Sequence, residues 1–218
     1  MHYKILVAND SHFKHASSIC NMMAEAAKVR GTGIAQRQPT YICKKMEEGK
    51  AVIALDGEIL IGFCYIESWE NQKYVANSGL IVHPEFRKTG LAKAIKKATF
   101  DLSKKKFPNA KLFGITTSMA VMKINSDLGY KPVTFSELTQ DEAFWKGCQS
   151  CVNYDILKRT NKSMCICTAM KCDLSEVKES SNKITWNGFK QFLKMRKASI
   201  KQRAKEFPQL NKIINNEK

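Results

Sequence analysis

Apolar positions along the chain keep two rhythms, and together they predict an alternating arrangement of strands and helices. Short apolar runs bounded by turn residues predict strands at residues 3–8, 51–55, 59–66, 74–82, 111–116, 131–135 and 164–170. Asp56-Gly57 sits between the second and third runs, and this dipeptide tolerates the positive φ angles of a two-residue hairpin. The run 59–66 is apolar on both faces, as a central strand requires. Between the strands the period lengthens. Phe13, Ala16, Cys20, Met23 and Ala27 follow a helical repeat with Asp10 or Ser11 as its cap, and a second helix fits residues 40–48. Leu91, Ile95, Ala98 and Leu102 form one stripe, with Lys93, Lys96 and Lys97 off it. Val121, Ile124 and Leu128 form another, ahead of Gly129 at the expected helix end. The order is β-α-α-β-β-β-α-β-α-β-β, an α/β (α+β) fold built on a seven-stranded sheet flanked by helices.

The polar stretch 173–183 then predicts a linker, and residues 186–205 a basic helix with Trp186, Phe189, Leu193 and Ile200 on one side. This divides the chain into a domain at 1–172, in which 144–172 hold a cysteine-containing insertion and the last strand, and a linker plus basic helical tail at 173–218. The 218 residues carry 36 Lys+Arg against 20 Asp+Glu, a formal net charge of +16, which attracts nucleic acid, acidic substrates or a polyanionic cofactor. The basic tail lacks the aromatic-basic alternation of a nucleic-acid arm, so a solvated helix is the preferred reading and nucleic acid is disfavoured. The N-terminus lacks the apolar core of a signal peptide, and the longest apolar run is too short to span a bilayer. Eight cysteines without such a signal point to a reducing, cytoplasmic setting.

The chemistry concentrates in LIVHPEFRKTGLAKAIKKA, residues 80–98, where a strand ends at Val82, turns through Pro84 and enters a helix at Gly90. The first turn of a helix exposes unpaired N–H groups and a partial positive charge, which suit phosphate oxygens. Gly90 and Ala92 remove side-chain bulk there, and Arg87 and Lys88 add charge.

Residues 80–92 resemble the acetyl-CoA-binding motif of the GNAT superfamily of N-acetyltransferases, [LI]-x-V-x-P-x-x-[RQ]-x-x-G-[LI]-[GA]. Leu80, Val82, Pro84, Arg87, Gly90, Leu91 and Ala92 fill every specified position. The resemblance implies a mixed, mostly antiparallel sheet that opens after the strand ending at Val82. It implies that Leu80, Ile81 and Val82 hold the pantetheine arm and polarise the thioester carbonyl. The amides of Lys88, Thr89, Gly90, Leu91 and Ala92 would hold the pyrophosphate. Residues 118–130 resemble a second family pattern, N-x-x-A-x-x-L-Y-x-x-x-G-F, with Ser118 in place of Asn, Val121 in place of Ala and Asn125 in place of the tyrosine that can protonate the departing thiolate. Asn125 donates a hydrogen bond but yields no proton.

The implied reaction is attack of a primary amine on the thioester of acetyl-CoA or another acyl-CoA. It needs a base and oxyanion donors. Glu67, at a strand end, is the first candidate base and His83 the second; each is equally readable as a solvated surface group. Cys148-x2-Cys151 and Cys165-x-Cys167 could supply four thiolates to a structural zinc, could be reduced core or surface residues, or could form a redox pair. Thr116, Thr117 and Asn77 are candidate acceptor-site residues, and residues 144–159 are expected beside that site. The pattern resembles a subgroup associated with N-acylation of glutamate, placing the chain in amino-acid metabolism. The alternatives are an acyl-CoA-binding module without catalysis and an enzyme that acetylates lysines of a macromolecule. A homodimer is left open.

Overall fold

The computed structural model describes residues 3–30 and 36–177. A compact unit spans Met1–Lys178, and the expected basic helix at 186–205 lies outside the described residues. The elements are β1 (Tyr3–Val7), α1 (Ala16–Arg30), α2 (Pro39–Glu47), β2 (Ala51–Asp56), β3 (Ile59–Trp69), β4 (Tyr74–Val82), α3 (Leu91–Lys106), β5 (Lys111–Thr116), α4 (Met119–Asp127), β6 (Lys131–Val133), α5 (Glu142–Lys146), α6 (Tyr154–Arg159) and β7 (Thr168–Asp173). They form one seven-stranded sheet in the order β1-β2-β3-β4-β5-β7-β6. Every neighbouring pair is antiparallel except β4 and β5.

Local chemistry accounts for most boundaries. Gly57, at φ +58°, closes the β2–β3 hairpin, and Gly129, at φ +94°, ends the turn after α4. The first helix is capped one residue earlier than expected. Asn9 accepts from the Ser11 amide and completes a capping box with His12, because a 3-10 turn at Asp10–His15 precedes the α-helix. Residues 131–135 yield only the short β6, since Thr134 and Glu137 form a second capping box that turns the chain at Phe135.

The last strand needs a larger correction. Residues 164–167 are irregular, so Cys165 and Cys167 precede β7 rather than lying on it. The true strand, Thr168–Asp173, reaches the charged residues Lys171 and Asp173, and Lys171 is held by Glu137 at 2.9 Å. The two short helices α5 and α6 carry no readable period and were not expected from the sequence.

Two layers cover the sheet. Ile19, Met23, Ile42 and Met46 from α1 and α2 pack on Phe63, Tyr65 and Ile81. On the same face, Trp145 and Leu157 of the insertion pack on Phe113 and Ala76. On the other face α3 lays Leu91 and Ile95 on Val52, Ile61 and Cys64, and Phe100 on Val75 and Leu112. Among the described residues no helix is long and apolar enough to cross a membrane.

Candidate active site

The sheet opens where β4 and β5 part. They pair only through Tyr74–Lys111, Val75–Leu112 and Ala76–Phe113. From Asn77 to Val82, β4 has no strand partner on that side among the described residues, so its edge amides and carbonyls are available to a ligand. A bulge drives the separation. Between Phe63 and Tyr65 of β3, β4 advances three residues, from Ile81 to Ser78, so it carries one residue too many. Gly79, at φ +64°, sits in this bulge, and a Cβ there would lie 2.5 Å from the Tyr65 ring. Only glycine combines that backbone angle with that contact.

At the far end of the opened edge the chain passes through Pro84–Phe86 and arrives at α3. Gly90 caps α3 in the left-handed conformation, at φ +90°, and no side chain caps the helix. The first-turn N–H groups of Leu91, Ala92 and Lys93 are therefore left for an outside acceptor. Nothing lies within 4 Å of the position a Gly90 Cβ would take. Lys88, at φ +65°, is also left-handed, and Thr89 bonds back to the Phe86 carbonyl at 2.7 Å. Arg87 donates to the Val82 carbonyl at 3.3 Å, so its charge is tethered at the strand end. A free strand edge leading to an uncapped, basic helix start suits an extended amide-containing arm ending in a diphosphate.

Residues 20–120 match the acetyltransferase (GNAT) family. The match spans just under half of the chain and takes in the opened β4 edge and the start of α3. No curated protein matches the chain in sequence. Solved structures share the fold at low identity. N-acetylglutamate synthase from Neisseria gonorrhoeae, complexed with coenzyme A and N-acetyl-glutamate, aligns at TM-score 0.57 and 14% identity over 80% of this chain and 35% of that one. The chain thus spans about a third of that enzyme's length. The protein yncA from Salmonella typhimurium, solved with its cofactor acetyl-CoA, aligns at 0.56 and 12% over 83% and 99%. A phosphinothricin acetyltransferase from Sinorhizobium meliloti in complex with AcCoA aligns at 0.53 and 14% over 84% and 96%.

Within the matched residues, Leu80, Ile81, Val82 and residues 87–92 line one continuous path along β4 and into α3. Ser118 caps α4, accepting from the Val121 amide at 3.4 Å, just beyond the end of β5. Asn125 is buried on α4 beside Gly114 of β5; its Nδ2 faces the Met170 sulfur at 3.8 Å and its Oδ1 has no hydrogen-bond partner among the described residues.

Glu67 and His83 are not brought together. Glu67 pairs across from Ala76, at the closed end of the opening, whereas His83 follows Val82 at the other end, roughly 20 Å away along the strand. Glu67 lies on the α1–α2 face. One carboxylate oxygen accepts from Tyr41 Oη and from Arg37 Nη2 at 3.2 Å, and the other lies 3.6 Å from Lys45 Nζ. Arg37 also donates to Tyr65 Oη at 3.0 Å, which ties this cluster to the ring resting on Gly79. Sequence reasoning named Glu67 but missed its partners, which come from two different elements.

Asn77 was a candidate acceptor-site residue. Its side chain points to the α3 face, where it donates to Ser103 Oγ at 2.7 Å and accepts from Tyr130 Oη at 3.3 Å. Lys96, expected on a solvated helix face, is 3% exposed and sits above the Tyr130 ring, 5.4 Å from its centroid. Burial pushes its ammonium down to about 8. The folded state therefore loses this proton before the unfolded chain does. Between pH 8 and about 10.5 the unfolded state binds more protons, so stability rises with pH through that window. Lys96→Met, an apolar near-isostere, is expected to be more stable than the parent at pH 7, by on the order of 3 kcal/mol. Urea titrations at pH 7 and pH 10 should show that gap narrowing.

The late cysteines do converge. Cys148, Cys165 and Cys167 join the cluster around Phe113 and Trp145, and the Cys151 amide bonds to the Cys148 carbonyl at 3.0 Å. Burial and the neighbouring thiols push Cys148 up to about 11 and Cys167 up to about 12, so both are held as neutral thiols. Among the described residues, no group of three or more histidine, cysteine or acidic side chains is arranged to hold a metal ion.

Proposed function

We propose that the domain transfers an acetyl or other short acyl group from acyl-CoA to the primary amine of a small molecule, an amino acid such as glutamate being the favoured acceptor. The observation that carries this reading is the unpaired β4 edge from Asn77 to Val82 leading to the uncapped start of α3. The acyl-CoA arm would run along that edge with its diphosphate over Gly90. The acceptor would approach from the α1–α2 face, beside Glu67. Arg37 and Lys45 both pair with Glu67, and Lys45 and Lys50 share Glu48, so three cations face two carboxylates and the local excess of positive charge favours an acceptor carrying its own carboxylate. Glu67 would take the ammonium proton, directly or through water. His83 is too far along the strand to share that task.

The test is mass spectrometry of the products formed from acetyl-CoA and from succinyl-CoA with pooled amino acids. An N-acylated acidic amino acid is expected. Acylation of protein lysines with no small-molecule product would favour a macromolecular acceptor, and binding of acyl-CoA without turnover would favour a regulatory module. Glu67→Gln is expected to lower kcat about 10²-fold. Arg37→Ala is expected to raise the acceptor KM and leave that of acyl-CoA unchanged. A structural zinc on Cys148, Cys151, Cys165 and Cys167 belongs to the same reading only as a folding element. Elemental analysis near one zinc per chain would support it, and its absence would leave four packed thiols.

A further inference from the structure

The sequence leaves the reaction without an acid, because Asn125 replaces the residue that would protonate the departing sulfur and cannot do so itself. The structure offers a group the sequence hid. Helix α3 runs back along β4, and two contacts fix its level. Ile95 lies over Gly62, where a Cβ would meet it at 2.4 Å, and Gly62 pairs with Val82. Ser103, two turns later, bonds to Asn77. Lys96 falls between these points on the α3 face, and its amine interacts with Cys64, which stands opposite the bulge between Ile81 and Ser78.

Titratable groups reach Lys96 from two neighbours, Cys64 of β3 and Tyr130 after α4, with Cys172 of β7 close to Tyr130. None offers a competing proton. Cys64 donates to the Ser78 carbonyl at 3.4 Å, Tyr130 donates to Asn77, and burial raises the Cys64, Tyr130 and Cys172 values. Among the described residues no carboxylate pairs with Lys96. A buried ammonium without a counter-ion is costly, and its presence is explained if an anion forms beside it.

We propose that the Lys96 ammonium pairs with the coenzyme A sulfur and takes up its negative charge as the thioester breaks. This rests on the acyl-transfer reading of the β4–β5 opening. The acceptor nitrogen bonds to the acyl carbon, the carbon–sulfur bond breaks with its electron pair on sulfur, and the thiolate is held by the Lys96 N–H donors. The thiolate takes a proton from solvent on release, and the acceptor's own proton leaves through the base. With its ammonium pushed down to about 8, Lys96 keeps its charge at neutral pH.

The experiment uses the full chain with coenzyme A, and desulfo-coenzyme A as the blank. The thiolate is read by ultraviolet difference spectroscopy at a pH about one unit below the thiol's usual value of roughly 8.5. Bound coenzyme A is expected to show thiolate absorbance with the parent and with Lys96→Arg. With Lys96→Met it is expected to fall at least about tenfold while desulfo-coenzyme A binds all three equally. In turnover, Lys96→Met should lower kcat about 10²-fold with the acyl-CoA KM unchanged. Coenzyme A that binds the parent as a thiol, or a Lys96→Met protein that keeps the thiolate signal, overturns the assignment of Lys96 and leaves the cofactor site standing. Coenzyme A that does not bind the parent overturns the cofactor site itself, and this proposal with it.

Discussion

Gly90→Asp is expected to cut affinity for coenzyme A roughly 10²- to 10³-fold while leaving the domain folded. The new side chain would start at the beginning of α3, where no described residue comes within 4 Å of its Cβ. It would therefore clash with no neighbour, but it would face the diphosphate at contact distance. Two like charges at about 4 Å and an effective dielectric near 20 repel by about 4 kcal/mol, and each 1.4 kcal/mol is tenfold in affinity. Part of the loss could come from backbone strain, because Gly90 sits at φ +90°. Gly90→Ala separates the two effects. It carries the strain, about 1–3 kcal/mol of stability, without the charge. Isothermal titration should find near-parent affinity for Gly90→Ala and little or none for Gly90→Asp. Equal losses in the two variants would mean that backbone shape, not anion binding, governs this position.

Gly79→Val is expected to damage both the fold and the opening. The left-handed angle at Gly79 costs about 1–3 kcal/mol for a residue with a side chain, and a β-branched one lies at the upper end. A Cβ placed 2.5 Å from the Tyr65 ring adds an overpacking cost of about 1–3 kcal/mol. Against a total stability of about 5–15 kcal/mol, the sum predicts a fall in Tm on the order of 10 °C. Below that temperature the folded protein should still bind coenzyme A poorly, because relief of the clash requires loss of the bulge that parts β4 from β5. Tyr65 also holds Arg37, so acceptor binding should weaken in parallel.

The path along β4 into α3 was legible in the sequence because it is local. Strand, turn and helix start follow one another within residues 80–92, and each leaves its mark in residue type. Gly79 was legible in principle, since an isolated glycine inside a strand pattern marks a bulge. Lys96 was not. The helical stripe read through Leu91, Ile95, Ala98 and Leu102, but the face α3 buries runs through Leu91, Ile95, Thr99 and Ser103 with Lys96 and Phe100 beside it. Thr99 and Ser103 tolerate burial because their hydroxyls bond back to Ile95 and Thr99 carbonyls, a compensation that a polarity pattern cannot show. The cluster at Glu67 escaped for another reason. Arg37 and Tyr41 reach it from about thirty positions away, and only the packing of α2 on β3 brings them there.

The insertion before β7 shows the opposite failure, of composition read as structure. Residues 164–167 look strand-like, yet they fill space beside Trp145 and leave the ladder to the more polar Thr168–Asp173. Residues 144–159 were expected beside the acceptor cleft. They pack on Phe113, Ala76 and Trp69, where β4 and β5 are still joined, on the same face as Glu67, which pairs with Ala76. The insertion therefore braces the closed end of the opening, with Glu70 accepting from Thr139 at 2.6 Å to hold it.

The most direct test follows backbone amide signals by NMR as coenzyme A is added. The largest shifts should fall on residues 78–82 and 88–93, with a smaller set at 114–118. Shifts confined to the insertion or to the α1–α2 face, with the β4 edge and the start of α3 unmoved, would contradict the account.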